Sequence, residues 1–261
     1  MKIIDLTEEH EALFSVCLED WSPMAQEAGP RRACWVKCQR EHGLRAKLAL
    51  TDDGTVAGMI QYLPIEHSTV DGTGLYFIPC IWVHGHKEGR GNFMGHGMGT
   101  ALLEAAEADA RQLGAAGMAA WGLWLPFWMK ASWYRKHGYR KADRQGLAML
   151  LWKPFRPDAH PPRWFPSARK LPELVPGKVA VTAFVNGWCM AQNLAAERAK
   201  RAAAEFGDRV AYREVDTSER RTIAECGFSD AILIDGKEVR TGPPPSYEKL
   251  HTLIAKGVAR L

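Results

Sequence analysis

Three glycines at alternate positions, Gly95, Gly97 and Gly99, stand directly ahead of the segment TALLEAAEADARQL, Thr100–Leu113. That segment is rich in strong helix formers and closes on Gly114, so the glycines mark a helix N-terminus. Such a start turns a run of backbone N–H groups outward at the positive end of the helix dipole, an arrangement suited to holding phosphate. A P-loop would need Gly-Lys-Ser/Thr, and Gly99-Thr100 has no lysine. The dinucleotide fingerprint G-x-G-x-x-G would need a third glycine where Thr100 stands. A structural turn remains the alternative to a diphosphate cradle. Other reactive side chains are scattered. Cys34 and Cys38 are spaced i, i+4 on one helix, with Cys17 on the helix before, but no fourth soft ligand accompanies them and cysteine packs well as a small hydrophobe. His84, His86 and His96 lie among flexible glycines without a fixed tetrahedral face, so no metal site is expected.

The hexapeptide Met94-Gly95-His96-Gly97-Met98-Gly99 resembles the Arg/Gln-x-x-Gly-x-Gly/Ala loop of the GNAT acyltransferases. Met94 stands where that family usually has Arg or Gln, a change that keeps the backbone cradle and loses a side-chain contact. Downstream, Ala131-Ser132-Trp133-Tyr134-Arg135-Lys136-His137-Gly138-Tyr139 resembles the family's second segment, Ala-x-x-aromatic/aliphatic-Tyr-x-x-x-Gly-Phe. The resemblance implies acetyl-CoA as cosubstrate, with its diphosphate on Met94, Gly95, His96, Gly97, Met98, Gly99 and Thr100 and its pantetheine along Ile81, Trp82 and Val83. It also implies that the Cys80–Val83 strand splays from Gly117–Trp121, freeing backbone groups to polarise the acetyl carbonyl. Tyr134 would then protonate the departing thiolate while a substrate amine attacks directly. Two residues are candidates for the base, Glu66 after the Met59–Pro64 strand and His84 after the central strand, each competing with a plain surface role. Cys80 lies mid-strand beside the expected acetyl position, and Trp121, Trp124, Phe127, Trp128 and Trp133 divide between core and the wall of an acceptor pocket.

The elements that must position these groups can be read in outline. Helices are expected at Glu8–Asp20, Arg31–His42, Thr100–Leu113 and Trp128–Lys136, and strands at Ala46–Leu50, Thr55–Tyr62, Leu75–Val83, Gly117–Trp121 and Gly146–Trp152. Asp52-Asp53-Gly54 marks a hairpin turn. Residues 153–177 hold seven of the chain's 15 prolines and can form neither regular helix nor central strand. They read as a linker, with an extended strap across the first domain as the alternative. Beyond them the pattern runs strand Lys178–Val185, helix Ala191–Phe206, strand Val210–Val215, helix Ser218–Cys226, a hairpin at Asp235-Gly236, and helix Ser246–Ala259.

That second part, entered through Gly187-Trp188-Cys189-Met190-Ala191-Gln192, resembles a thioredoxin-like module, and the pair of domains resembles acetyltransferases bearing a YoaP-like C-terminal domain. Gln192 replaces the second cysteine of the Trp-Cys-x-x-Cys turn, and Ser229 stands near the family's cis-proline position, so a dithiol cycle is not expected. Cys189 at a helix N-terminus is a candidate reactive thiol, against a structural, substrate-binding or dimerising module. The expected fold class is α/β (α+β): a GNAT-like mixed central sheet flanked by helices over 1–153, a proline-rich linker over 154–177, and a smaller thioredoxin-like α/β domain over 178–261.

Composition limits the alternatives. The 261 residues suggest one large or two modest domains, and 46% hydrophobic with 25% charged content is ordinary for a globular chain. A net charge of +4 without a basic arm argues against nucleic acid as partner. The longest apolar runs, Leu75–Val83 and Leu123–Met129, fall short of the roughly 18 residues a membrane helix needs, so no membrane partner is expected. Acids within the first five residues and only six cysteines predict a cytoplasmic protein with free thiols. The function implied is N-acetylation of a small-molecule or peptide amine, with a possible homodimer. The rival is thiol, redox or metalloid handling through Cys189 on a GNAT scaffold that only binds ligand.

Overall fold

In a computed structural model, residues 1–125, 129–166, 171–239 and 244–261 are described. They divide into two units, one formed by Met1–Trp21 and Val36–Phe165, the other by Ser22–Trp35 and Pro166–Leu261.

The first unit carries β1 (Lys2–Asp5), α1 (Glu8–Ser15), the C-terminal end of α2 (Pro23–Glu41), β2 (Arg45–Leu50), β3 (Val56–Pro64) and β4 (Leu75–Val83). It continues with α3 (Met98–Gln112), β5 (Gly117–Leu123), α4 (Ala131–Lys136), β6 (Arg140–Gln145) and β7 (Ala148–Pro154). Its seven strands lie in the order β1-β2-β3-β4-β5-β7-β6. Strands β4 and β5 pair in parallel, which the crossover helix α3 between them makes possible. The apolar side of α3, Leu102, Leu103, Ala106 and Ala110, packs on Ile60, Tyr62, Ile78, Met118 and Ala120 of the sheet. Gly58 permits that approach: a Cβ there would lie 3.1 Å from Leu102 Cδ1 and 3.3 Å from the Trp82 carbonyl.

The structure differs from the sequence expectation at definite places. Helix α1 ends at Ser15 because Cys17 and Leu18 take left-handed φ of 54° and 65°. Helix α2 starts at Pro23, eight residues before the expected Arg31, and carries Pro30 inside it. Proline at a first helical position is favourable, whereas Pro30 removes a helical hydrogen bond, which is why that half did not read as helix. Strand β6 is an edge strand with charged residues, RKADRQ, and β1 is four residues long, so neither shows an apolar alternation. The proline-rich stretch is strapped onto the first unit as far as Phe165. Arg163 exchanges backbone hydrogen bonds with Asp71 (2.8 and 2.9 Å) and adds a 2.8 Å ion pair.

The second unit contains β8 (Val179–Val185), α5 (Met190–Ala204), β9 (Val210–Asp216), α6 (Arg220–Cys226), β10 (Ala231–Ile234), β11 (Lys237–Glu238) and α7 (Tyr247–Val258). Its mixed sheet runs β11-β10-β8-β9, with β8 parallel to β9 and antiparallel to β10. Ala195, Ala196 and Ala199 of α5 and Leu250 and Ile254 of α7 close over Val181 and Ala183. The N-terminal half of α2 belongs to this unit, where Arg31 forms ion pairs with Glu197 and, bidentately at 2.5 and 2.9 Å, with Glu214.

Candidate active site

The parallel ladder between β4 and β5 runs from Leu75↔Gly117 to Ile78↔Ala120 and stops there. The next residue of β4 is Pro79, which has no N–H to donate, and its carbonyl instead accepts 2.8 Å from Trp121 Nε1. From this point β5 follows β7 as far as Leu123↔Ala148, while Cys80–Val83 continue on β3, from Cys80↔Gln61 to Val83↔Gly58. The two central strands therefore splay, and among the described residues no strand pairs with the second edge of Ile81–Val83.

Helix α3 begins beside that opening. Its N-cap is Gly97 at φ 79°, preceded by Gly95 at φ 83°, both in the left-handed region that glycine alone enters cheaply. No side chain caps this end, so the first-turn N–H groups are presented by the backbone. The Thr100 hydroxyl donates 3.0 Å to His137 Nε2, and His137 Nδ1 donates 2.9 Å to the Trp133 carbonyl, which ties the start of α3 to α4.

A groove of ≈ 490 Å³ joins these parts. Of the residues singled out in sequence it is lined by Ile81, Trp82, Val83, Met94, Gly95, Gly97, Met98, Gly99, Thr100 and Tyr134. Phe93, Met129, Lys130 and Trp133 line it as well and were not assigned to cofactor or catalysis. Trp133 had a sequence signal, as a member of the aromatic group beside Tyr134; Lys130 and Met129 had none. Tyr134 is 1% exposed, and among the described residues its hydroxyl has no hydrogen-bond partner. Burial, aided by the nearby Cys80 thiol, pushes its pKa well above the ordinary phenol value, so the group holds its proton.

Three sequence candidates lie elsewhere. His96 is exposed and does not line the groove. Glu66 sits in a short 3₁₀ turn and accepts 2.6 Å from the Gly74 N–H. His84 is fully buried: Nδ1 donates to the Gly91 carbonyl at 2.6 Å, leaving Nε2 to accept from Trp21 Nε1 at 3.4 Å. With both nitrogens engaged it pins the loop 84–93 rather than facing a substrate. Cys34 and Cys38 are exposed rather than packed, and among the described residues no group of three or more His, Cys, Asp or Glu could hold a metal ion. Trp124 is 62% exposed, with Arg144 over its ring at 5.7 Å, while Phe127 and Trp128 lie outside the described residues.

Residues 10–139 match the sequence profile of the acetyltransferase (GNAT) family. They are a GNAT acetyltransferase domain, and the chain is a GNAT N-acetyltransferase family enzyme. The comparison with curated proteins gives no match. Among solved structures, similar chains include a GNAT acetyltransferase from Brucella melitensis in complex with acetyl-CoA: 20% identity, 61% of this chain and 90% of that one, TM-score 0.41. YhbS from Escherichia coli, in complex with CoA, gives 15% identity over 62% of this chain and 88% of its own, TM-score 0.45. Aminoglycoside 6'-acetyltransferase type Ii gives 15% over 60% and 99%, TM-score 0.43. The GNAT domain's matched span runs from α1 to the residue after Gly138 and so takes in the splayed strands, the glycine loop and Tyr134. Among the described residues no helix is long and apolar enough to cross a membrane.

Proposed function

We propose that the protein transfers an acetyl group from acetyl-CoA to an amine of a small molecule or peptide, by direct attack of the amine on the thioester. The observation that carries this reading is the single groove uniting the Gly97-capped helix start, the unpaired edge of Ile81–Val83 and the Tyr134 phenol. The first-turn N–H groups of α3 and the loop Met94–Gly99 would hold the diphosphate. The free edge of β4 would pair with the pantetheine amides and donate to the carbonyl oxygen as it gains charge. Tyr134, protonated at any ordinary pH, would hand its proton to the leaving thiolate. Calorimetric titration with acetyl-CoA, followed by an amine panel read by release of free thiol, tests the reading. Saturable binding and amine-dependent thiol release are expected; no binding at millimolar ligand overturns it.

We further propose that the second unit is a thioredoxin-like module, on the support of its β11-β10-β8-β9 order with parallel β8 and β9. Cys189 is the N-cap of the 15-residue helix α5, where a thiolate is favoured. A thiol-handling role for Cys189 is thus a second reading, with dimerisation through this unit as the structural one. Alkylation of Cys189 at pH 7 should outpace that of a free small thiol; an equal or slower rate ends the redox reading.

The neighbouring Asp230 accepts from the Asn186 N–H and from Trp188 Nε1, each at 3.2 Å, yet burial pushes its pKa up to about 6. In the unfolded chain the same carboxyl titrates near 3.8. Between those values the folded state binds the proton more tightly, so this group's contribution falls as pH rises from about 4 to about 6, by up to about 3 kcal/mol. Asp230→Asn should flatten that part of the stability–pH curve, measured by denaturant melts at pH 4.5 and 7; an unchanged slope would remove the assignment.

A further inference from the structure

A general acid that gives its proton away must regain one before the next turnover. Tyr134 is almost fully buried, and on the reading above its groove side is covered by CoA when the proton is spent. The protein side of the phenol is different: it leads through three ionisable side chains to the surface. Tyr139 meets the Tyr134 ring at 5.3 Å, and its N–H donates 3.2 Å to the Tyr134 carbonyl, so the turn after α4 fixes the two phenols as neighbours. Burial, followed by the adjacent Glu107 carboxylate and the Tyr134 phenol, raises the Tyr139 pKa well above the ordinary value.

Glu107 is a buried acid on α3. Its Oε2 accepts 2.7 Å from Lys153 Nζ, while among the described residues Oε1 has no hydrogen-bond partner. The Tyr139 hydroxyl is likewise buried and unpartnered among the described residues, so a donor without an acceptor stands beside an acceptor without a donor. Lys153, on β7, opens the file to water: its side chain is 29% exposed against 9% for Glu107, and Nζ lies 5.8 Å from the centre of the Tyr139 ring. Burying a phenol, a carboxylate and an ammonium together carries a desolvation cost. Apolar residues of similar volume at positions 107, 139 and 153 would avoid it, so the file calls for a role beyond packing.

We infer that Tyr139, Glu107 and Lys153 form a proton line that reloads Tyr134 from solvent. The inference deepens the acetyltransferase reading and rests on it. Once the leaving thiolate has taken the Tyr134 proton, the phenolate left behind draws the Tyr139 hydroxyl toward it; catalytic hydrogen bonds that are open in the resting enzyme tighten during the reaction. The Tyr139 O–H bond breaks as the Tyr134 O–H bond forms. The Tyr139 oxygen receives the proton that the Lys153 ammonium passes across the Glu107 carboxylate, and the neutral Lys153 amine takes one from water. Each side chain ends as it began, with one solvent proton consumed for each thiol released. None of the three lines the groove; they act through Tyr134.

The experiment compares the first turnover with the steady state. It uses the full chain, acetyl-CoA and a primary amine that the parent protein acetylates, with CoA followed by rapid quench and chromatography. With protein in excess, Tyr139→Phe should complete its single turnover within about twofold of the parental rate, because Tyr134 starts with its proton in place. With acetyl-CoA in excess, its kcat should fall about tenfold behind a burst stoichiometric with protein. Glu107→Gln keeps the shape of the side chain but cannot pass a proton, and should show the same split. Both variants should keep the Kd for acetyl-CoA within about twofold, which also reports that they fold; if one does not, the other carries the test. A kcat within about twofold of the parent would show that Tyr134 reloads through the groove and would overturn the inference. So would equal slowing of first turnover and kcat, which marks a ring that only packs against Tyr134. A parent protein that binds acetyl-CoA yet acetylates no amine would instead bring down the acetyltransferase reading itself.

Discussion

Replacing Tyr134 by Phe will lower kcat for acetyl transfer by about 10²–10³, as expected for loss of a general acid, while leaving the Kd for acetyl-CoA within about twofold. The packing makes this a clean substitution. The Tyr134 ring is held edge-on by Trp133 at 5.0 Å and Tyr139 at 5.3 Å, and neither contact uses the hydroxyl. Among the described residues the hydroxyl has no partner to lose. A buried hydroxyl without a partner costs roughly 1–3 kcal/mol, so the variant should melt at the same temperature or slightly higher. A purely structural tyrosine would show neither change in turnover nor that opposition between activity and stability. Steady-state thiol release, calorimetry and a thermal melt read the three quantities, and a parental kcat would remove Tyr134 from the chemistry.

The groove shows what a single sequence can and cannot say. Gly97 and Tyr134 lie 37 positions apart, yet both were legible because each sits in a local pattern: glycines against a helix start, a tyrosine within a short recognisable segment. Strand β4 was legible to the residue because LYFIPCIWV is apolar throughout and bounded by glycine and histidine. The meaning of Pro79 within it was not, since the end of the β4–β5 ladder depends on which strand lies alongside. Histidine roles were the least legible. His84 and His86 are two residues apart in one glycine-rich loop; Trp21, 63 positions before His84, is the residue that engages one through a hydrogen bond and the other only through its ring. The turn after α1 offered no local signal either, because its left-handed residues, Cys17 and Leu18, lie inside the stretch Glu8–Asp20 that reads as one helix. The proline-rich stretch was legible as irregular but not as strapped, because its anchors, Asp71 and Asp143, belong to distant turns and strands.

Gly97→Val should have the opposite kinetic signature to the tyrosine change. A Cβ at Gly97 would meet nothing within 4 Å, so the effect is conformational rather than steric. Its φ of 79° is a genuine outlier for a β-branched residue, and the cap will move toward the β region to escape it. The first-turn N–H groups of α3 then turn away from the groove. Each hydrogen bond to a charged phosphate oxygen is worth about 1.5–3 kcal/mol, so loss of one or two should weaken acetyl-CoA binding by about 100-fold. At saturating cosubstrate, kcat should stay within about threefold, because Tyr134 and the free edge of β4 are untouched. Met94→Arg provides the converse. Met94 lines the groove and is 62% exposed, so a guanidinium there can reach the diphosphate and tighten binding by about tenfold, with the gain shrinking as salt is raised. Gly97→Val binding acetyl-CoA as tightly as the parent would show that the glycine cap is only a turn, and the phosphate assignment would have to leave the start of α3.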